Sequence, residues 1–158
     1  MTVERPTFVH QDVAGGWAEL ERDAVHLLRS EASRGPEGFW LGERPDYLVS
    51  TARLFPWIDR HWGPCDGELY MVSRVVQRDR GWTVKVGFSR NPRERLKALQ
   101  TGCPDELTIR ECYPAPRRIE RAAHELFAKD RRAGEWFEAS WGVHRLFDAL
   151  SYIHRRTR

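Results

Sequence analysis

The sequence predicts an α+β fold: a small three-stranded antiparallel sheet flanked by helices in the order ββαβαα, preceded by a helical N-terminal extension. Two observations predict it. The residue pattern changes at Glu68 from helical spacing to β-rich segments. The segment Gly63–Gly67 reads Gly-Pro-Cys-Asp-Gly and marks a break before that change. We therefore expect an extension over residues 1–66 and a domain over residues 67–158.

The extension is predicted to be helical and carries no recognisable chemistry. Asp12 to Ser33 has apolar residues at helical spacing, and a second helix is expected from Tyr47 to about Leu54. Pro56 is expected to kink or end that second helix, because proline lacks the N–H that a helix interior needs.

The first elements of the domain are predicted to be a β-hairpin. Leu69–Gln77 and Trp82–Phe88 are rich in β-branched and aromatic residues, and Asp79–Gly81 between them is typical of a turn. Their order in the chain makes the two strands antiparallel neighbours.

A capped helix follows the hairpin. Asn91 stands at a helix N-cap, Pro92 at the first helical position and Glu94 where a capping box closes. The helix is expected to run to about Thr101, where Gly102 ends it, and to bury Leu96 and Leu99.

The remaining pattern predicts one more strand and two more helices. The strand covers Leu107–Tyr113, and a helix runs from Arg117 to about Arg131. Gly134–Phe137 is expected to be a loop or short strand, in which Glu135 pairs with an arginine. Ser140 should cap the final helix. The expected inward residues of the first of these helices are Ile119, Ala122, Ala123, Leu126 and Phe127.

Composition and charge narrow the class of partner. The net charge is +3, yet residues 68–132 hold fifteen Lys and Arg against nine Asp and Glu, whereas residues 1–67 hold seven against eleven. A local basic excess is expected for a polyanion partner, although a solvated arginine-rich face would look the same. No apolar stretch reaches about 18 residues, the first residues lack a signal-peptide core, and the cysteine count is odd. These features predict a cytoplasmic protein with free thiols.

Five short motifs follow one another in the basic half of the chain. They are Glu68-Leu69-Tyr70, Lys85-Val86-Gly87, Arg95, Ile119-Glu120-Arg121 with His124, and Gly134-Glu135-Trp136-Phe137. In this order and spacing the set resembles the GIY-YIG nuclease superfamily. It is most similar to a divergent branch described as a phage-type DNA-binding domain or a meiotically up-regulated nuclease-like domain. The resemblance implies a GIY-YIG-like fold, with catalytic residues Tyr70, Lys85, Arg95 and His124 and a metal-binding Glu120.

The same residues suit phosphodiester hydrolysis on chemical grounds. Arg95 offers a planar cation to the phosphate, and Glu120 with water suits one divalent ion, Mg²⁺ or Mn²⁺. Tyr70, whose free pKa is about 10, needs a nearby cation to act as a base, and Lys85 is the candidate. His124, one helical turn after Glu120, would orient water or move a proton. We expect these five side chains to line one concave surface.

Double-stranded or structured DNA is the expected partner. Phosphate contacts are predicted from six basic residues around the motifs: Arg90, Arg93, Lys97, Arg117, Arg118 and Arg121. The leading interpretation is a metal-dependent DNA endonuclease, a hydrolase acting on phosphodiester bonds. Two alternatives stay open: a non-catalytic DNA-binding module on the same fold, and a protein-interaction domain acting through residues 1–66. Taken singly, the motif residues fit a core tyrosine, a solvated arginine and a charged helix face.

Overall fold

The computed structural model describes residues 22, 51, 53–76 and 82–156. Of the helix predicted over 12–33 only Arg22 is described, and it is helical. The start of the helix predicted from 47 and the turn predicted at 79–81 lie outside these residues. Among the described residues, 61–144 belong to one compact unit, and the others belong to a second. The boundary between residues 66 and 67 stays a prediction. None of the helices in the described ranges combines the length and the apolar character needed to cross a bilayer.

The α+β class is confirmed, but the antiparallel sheet has five strands rather than three. The strands are β1 (Gly67–Arg74), β2 (Thr83–Ser89), β3 (Leu107–Ala115), β4 (Arg131–Ala133) and β5 (Trp136–Glu138). Their order across the sheet is β3-β1-β2-β5-β4. The last two strands form a hairpin that pairs with β2 through β5. Each is three residues long, which is too short for a periodic pattern to predict.

The predicted first hairpin is present as β1 and β2. In its register Tyr70 lies opposite Gly87, and Val72 lies opposite Lys85. Tyr70 and Val72 are two residues apart on β1, so their side chains point to the same face of the sheet. Lys85 lies directly opposite Val72 and therefore shares that face with Tyr70.

Helix α2 follows β2 and covers that face. The described residues form four α-helices: α1 (Leu54–His61), α2 (Pro92–Thr101), α3 (Arg117–Leu126) and α4 (Trp141–Arg156). The predicted cap of α2 is confirmed, because Asn91 Oδ1 accepts from the Glu94 N–H at 3.2 Å. Leu96 and Leu99 are half-buried and pack against the cluster of Tyr70, Val72 and Leu107.

Helix α3 is shorter than predicted. It ends at Leu126, and a single 3-10 turn leads from it into β4. Leu126 was expected to face inward but is 44% exposed, whereas Phe127 is buried with its ring 6.4 Å from that of Phe137. The chain leaves the helix to place Phe127 in the core, so helical spacing no longer predicts which residue is buried.

Two further predictions are settled by α1 and α4. Pro56 does not end a helix: it is the third residue of α1, where its missing N–H has no intrahelical partner to lose. Helix α4 is confirmed, and apolar residues at helical spacing along it are buried: Val143, Leu146, Phe147, Leu150 and Ile153. Ser140 precedes α4, and its hydroxyl donates to Asp130 Oδ2 at 2.7 Å.

The three cysteines are free thiols. Cys65 is buried, and Cys103 and Cys112 pack against the cluster that contains Tyr70. Burial, with Glu68 beside it, raises the pKa of Cys112 to about 12, so this thiol stays protonated.

Candidate active site

The centre of the candidate site is the contact between Tyr70 and Gly87. A Cβ atom added to Gly87 would lie 2.6 Å from Tyr70 Cζ, closer than two nonbonded carbons approach. The phenol therefore lies directly over the Gly87 backbone, and only glycine leaves room for it. Tyr70 itself is buried, with 2% of its surface exposed.

Arg95 meets the phenol from α2. It is an exposed residue whose side chain lies close enough to that of Tyr70 to lower the pKa of the phenol. Burial raises the pKa of Tyr70, and Arg95 offsets this rise in part. The cation that acts on the phenol is thus Arg95 and not Lys85, which the sequence had put forward.

Glu120 and His124 bind the backbone of β2 where β5 stops. Strand β5 pairs with β2 only as far as Lys85, so the outer edge of the next residues has no strand beside it. Glu120 Oε1 accepts from the Phe88 N–H at 3.0 Å, and His124 Nε2 lies 2.8 Å from the Val86 carbonyl oxygen. Side chains four residues apart share a helix face, so α3 replaces the missing strand with two hydrogen bonds.

These contacts determine the tautomer of His124 and affect the pKa of Glu120. A carbonyl oxygen only accepts, so His124 donates from Nε2 and its Nδ1 is the ring atom left to accept a hydrogen bond in the neutral form. Glu120 is half-buried, and burial raises its pKa more than the Phe88 hydrogen bond and the charges of His124 and Arg117 lower it.

Lys85 is buried and ion-paired with Glu135. Its Nζ donates to Glu135 Oε2 across 50 positions of sequence. This hydrogen bond lowers the pKa of Glu135. The sequence had assigned Glu135 an arginine partner and a structural role. The missed signal was a buried lysine on β2 that needed a carboxylate of opposite charge.

Glu135 joins the predicted residues in one electrostatic cluster. Its charge acts on Tyr70 and on Glu120, and the charges of His124 and Arg95 act on it. All five predicted side chains therefore lie close enough to interact around the β1–β2 hairpin, with Glu135 as a sixth member. Their catalytic roles stay predictions.

The six basic residues predicted to contact phosphate are all exposed. They are not equivalent: Lys97 pairs with Glu94 at 2.8 Å, and Arg121 lies 3.4 Å from Glu125. Arg117 lies over the Phe88 ring at 5.9 Å, which places a cation next to the residue whose N–H holds Glu120.

Comparison with known proteins assigns the family. A family model described as the T5orf172 domain matches residues 67–154, more than half of the chain. The chain belongs to the T5orf172 domain family. No curated protein and no solved structure matches it. The match begins at the first residue of β1 and ends within α4, so the six clustered side chains all lie inside the T5orf172 domain.

The donor set of this T5orf172 domain suits a hydrated cation. Within the described ranges no three His, Cys, Asp or Glu side chains are grouped to enclose a metal ion. Glu120 is instead a single carboxylate whose pKa is raised by burial and by the neighbouring charge of Glu135. A divalent ion would relieve both effects, and Mg²⁺ commonly binds through one or two carboxylates and keeps several waters.

Proposed function

We propose that this T5orf172 domain is a DNA endonuclease of the GIY-YIG type that uses one divalent ion, Mg²⁺ or Mn²⁺, at Glu120. The observation that carries the proposal is the position of Arg95 beside the Tyr70 phenol, whose pKa it lowers, in a cluster that also contains Glu120. A phenol, a phosphate-binding cation and an ionisable carboxylate are thereby assembled from three different elements. The bound ion would stabilise charge on the phosphate oxygens.

Arg95 is assigned to the phosphate. It is exposed, always charged and presents several N–H donors, so it can hold the phenol and a phosphate oxygen at once. Held against Tyr70, it favours the ionised phenol that would accept a proton from the attacking water. The arginine therefore links substrate binding to the state of the base.

His124 is assigned to a water or a proton. Its Nε2 is fixed on the Val86 carbonyl, which sets the plane of the ring and the position of Nδ1. A ring held in this way accepts a hydrogen bond at Nδ1 from one direction only. A residue that orients water must do the same.

A non-catalytic DNA-binding module is the second candidate. It is favoured by the pKa values of Tyr70 and Glu120, both of which are raised by burial toward the neutral form. A site in which burial disfavours the charged phenolate and carboxylate would bind phosphate through Arg95 and the exposed basic residues without cleaving it.

Plasmid nicking separates the candidates. The full-length protein is incubated with supercoiled plasmid in Mg²⁺, in Mn²⁺ and in EDTA, and DNA binding is measured in parallel. Nicking that requires the metal supports the endonuclease. Binding without nicking in any metal selects the non-catalytic module, and no binding at all selects a protein-interaction role for residues 1–66.

A further inference from the structure

Lys85 and Glu135 differ in how far solvent reaches them. The Lys85 side chain is 8% exposed, whereas that of Glu135 is 44% exposed. A phosphate approaching the sheet therefore meets the carboxylate before the ammonium. A buried ammonium is stable only with a counter-charge, and Glu135 provides it.

Glu135 is fixed at three points. Gly134 before it has a φ of 55°, a left-handed conformation that favours glycine and turns the chain from β4 into β5. The Glu135 carbonyl accepts from the Val86 N–H at 3.4 Å, and its carboxylate is held by Lys85. The carboxylate thus has a set position among Tyr70, Glu120, His124 and Arg95, all of which its charge reaches.

We propose that Lys85 is a positioning residue that never meets the phosphodiester: it acts through Glu135, holding its carboxylate in place beside Tyr70. The ion pair has no net charge and lies among ionisable side chains. Removing either partner leaves a single charge, negative or positive, next to the phenol. This deepens the proposed function, since it changes what Lys85 does in that site.

The two sides of the pair have opposite expected effects on Tyr70. A Glu135 carboxylate without its lysine disfavours the phenolate and raises the pKa of Tyr70, whereas loss of the carboxylate removes a charge that raises this pKa and therefore lowers it. With both charges removed, the pKa of Tyr70 falls as it does in Glu135→Gln, because Lys85 has no carboxylate left through which to act. A pair that only stabilised the fold would leave this titration unchanged in all variants.

The test is a double-variant cycle read first without DNA or metal. The variants are Lys85→Met, Glu135→Gln and the two together, with Glu138→Gln on β5 as the matched control, because Glu138 pairs with exposed Arg132. The Tyr70 phenol is followed by NMR of carbon-13 tyrosine and assigned with Tyr70→Phe. We expect its pKa to rise in Lys85→Met, to fall equally in Glu135→Gln and in the double variant, and to match the parent in the control.

Nicking provides the second measurement on the same proteins. Lys85→Met is expected to slow nicking roughly 10–100-fold, as loss of a residue that orients an active group does, and the double variant to recover most of that loss. A double variant as slow as Lys85→Met would show that the ammonium itself contacts the substrate, and it would overturn the proposal.

The titration of Tyr70 tests the role of the ion pair independently of the proposed endonuclease function. If no variant and no parent nicks DNA, the endonuclease fails, yet the order of the Tyr70 pKa values still decides the role of the pair. If Lys85→Met does not fold, Glu135→Gln alone decides, because Glu135 is partly exposed: an unchanged Tyr70 titration in that variant overturns the proposal.

Discussion

The α3 side of the site and the β4–β5 turn each contribute one glutamate, and the two have opposite pKa shifts. Glu120 on α3 is bound by a backbone N–H, and burial raises its pKa. Glu135 in the turn is bound by Lys85, and its pKa is lowered. The partner decides the difference, since a neutral N–H offsets burial less than an ammonium does. Glu135 already has its cation, and Glu120 is the carboxylate that still gains from binding one.

Among the graded effects, the largest is expected at Arg95, whose charge acts on Tyr70 and on Glu135. Arg95→Lys keeps the charge but loses the planar fork that holds phenol and phosphate together. We expect nicking to fall about a hundred- to a thousandfold, or about 3–4 kcal/mol of transition-state stabilisation. Single-turnover nicking measures it, with Arg132→Lys on β4 as the control. Equal rates for the parent and Arg95→Lys would show that only the charge is needed.

The next prediction tests the contact between Tyr70 and Gly87. Gly87→Ala would push a Cβ into the Tyr70 ring, and such overpacking costs about 1–3 kcal/mol. The matched control is Gly102→Ala, whose Cβ would meet nothing nearer than the Leu99 carbonyl oxygen at 3.9 Å. Thermal unfolding of the two variants measures the difference. If both unfold at the parent temperature, the phenol is not held against Gly87.

A smaller effect is expected from the basic surface around the site. Replacing Arg90 and Arg93 together by alanine should lower the slope of log affinity against log salt by about 0.9 for each phosphate that the protein no longer neutralises. Replacing Lys97 and Arg121 should change it less, because each already has a carboxylate neighbour on its own helix. Binding to one DNA duplex at several salt concentrations gives both slopes. If the salt slope is unchanged in both double variants, these basic residues form a solvated face rather than a phosphate-binding surface.

Local signals in the sequence predicted the parts of the fold that local chemistry determines. The Asn91 cap, the end of α2 near Thr101 and the first hairpin are each encoded within a few residues and are confirmed. Strand β4 and its pairing with β5 were missed, and β5 was predicted only as a loop or short strand, because three-residue strands have no measurable period. Leu126 was placed wrongly because α3 stops one residue before Phe127 turns inward.

The site was predictable as a set of residues but not as a set of partners. Order and spacing marked Tyr70, Arg95 and Glu120, because each belongs to a short motif. Which cation meets which anion depends on the sheet register, which joins Lys85 to a turn 50 residues later. That register depends on strand β5, which the sequence predicted only as a loop or short strand without a partner strand, so the role of Glu135 was not visible in the sequence.

Acid stability provides a further comparison of the two glutamates. The lowered pKa of Glu135 means that its ionised form stabilises the fold above its unfolded value of 4.5, and that this contribution is lost as pH falls through the lower folded value. Glu135→Gln should therefore be less stable than the parent at neutral pH and equal to it in strong acid. Denaturant midpoints across pH measure this, and a constant difference would contradict it.

Glu120→Gln tests the central claim most directly. The exchange keeps the shape of the side chain and removes the charge that would hold the ion, and Glu125→Gln on the exposed face of the same helix is the control. Nicking is followed across a Mn²⁺ titration, and DNA binding is followed in EDTA. We predict that Glu120→Gln abolishes nicking at every Mn²⁺ concentration and binds DNA as well as the parent or slightly better, while Glu125→Gln nicks normally. Parent-like nicking by Glu120→Gln would contradict the account.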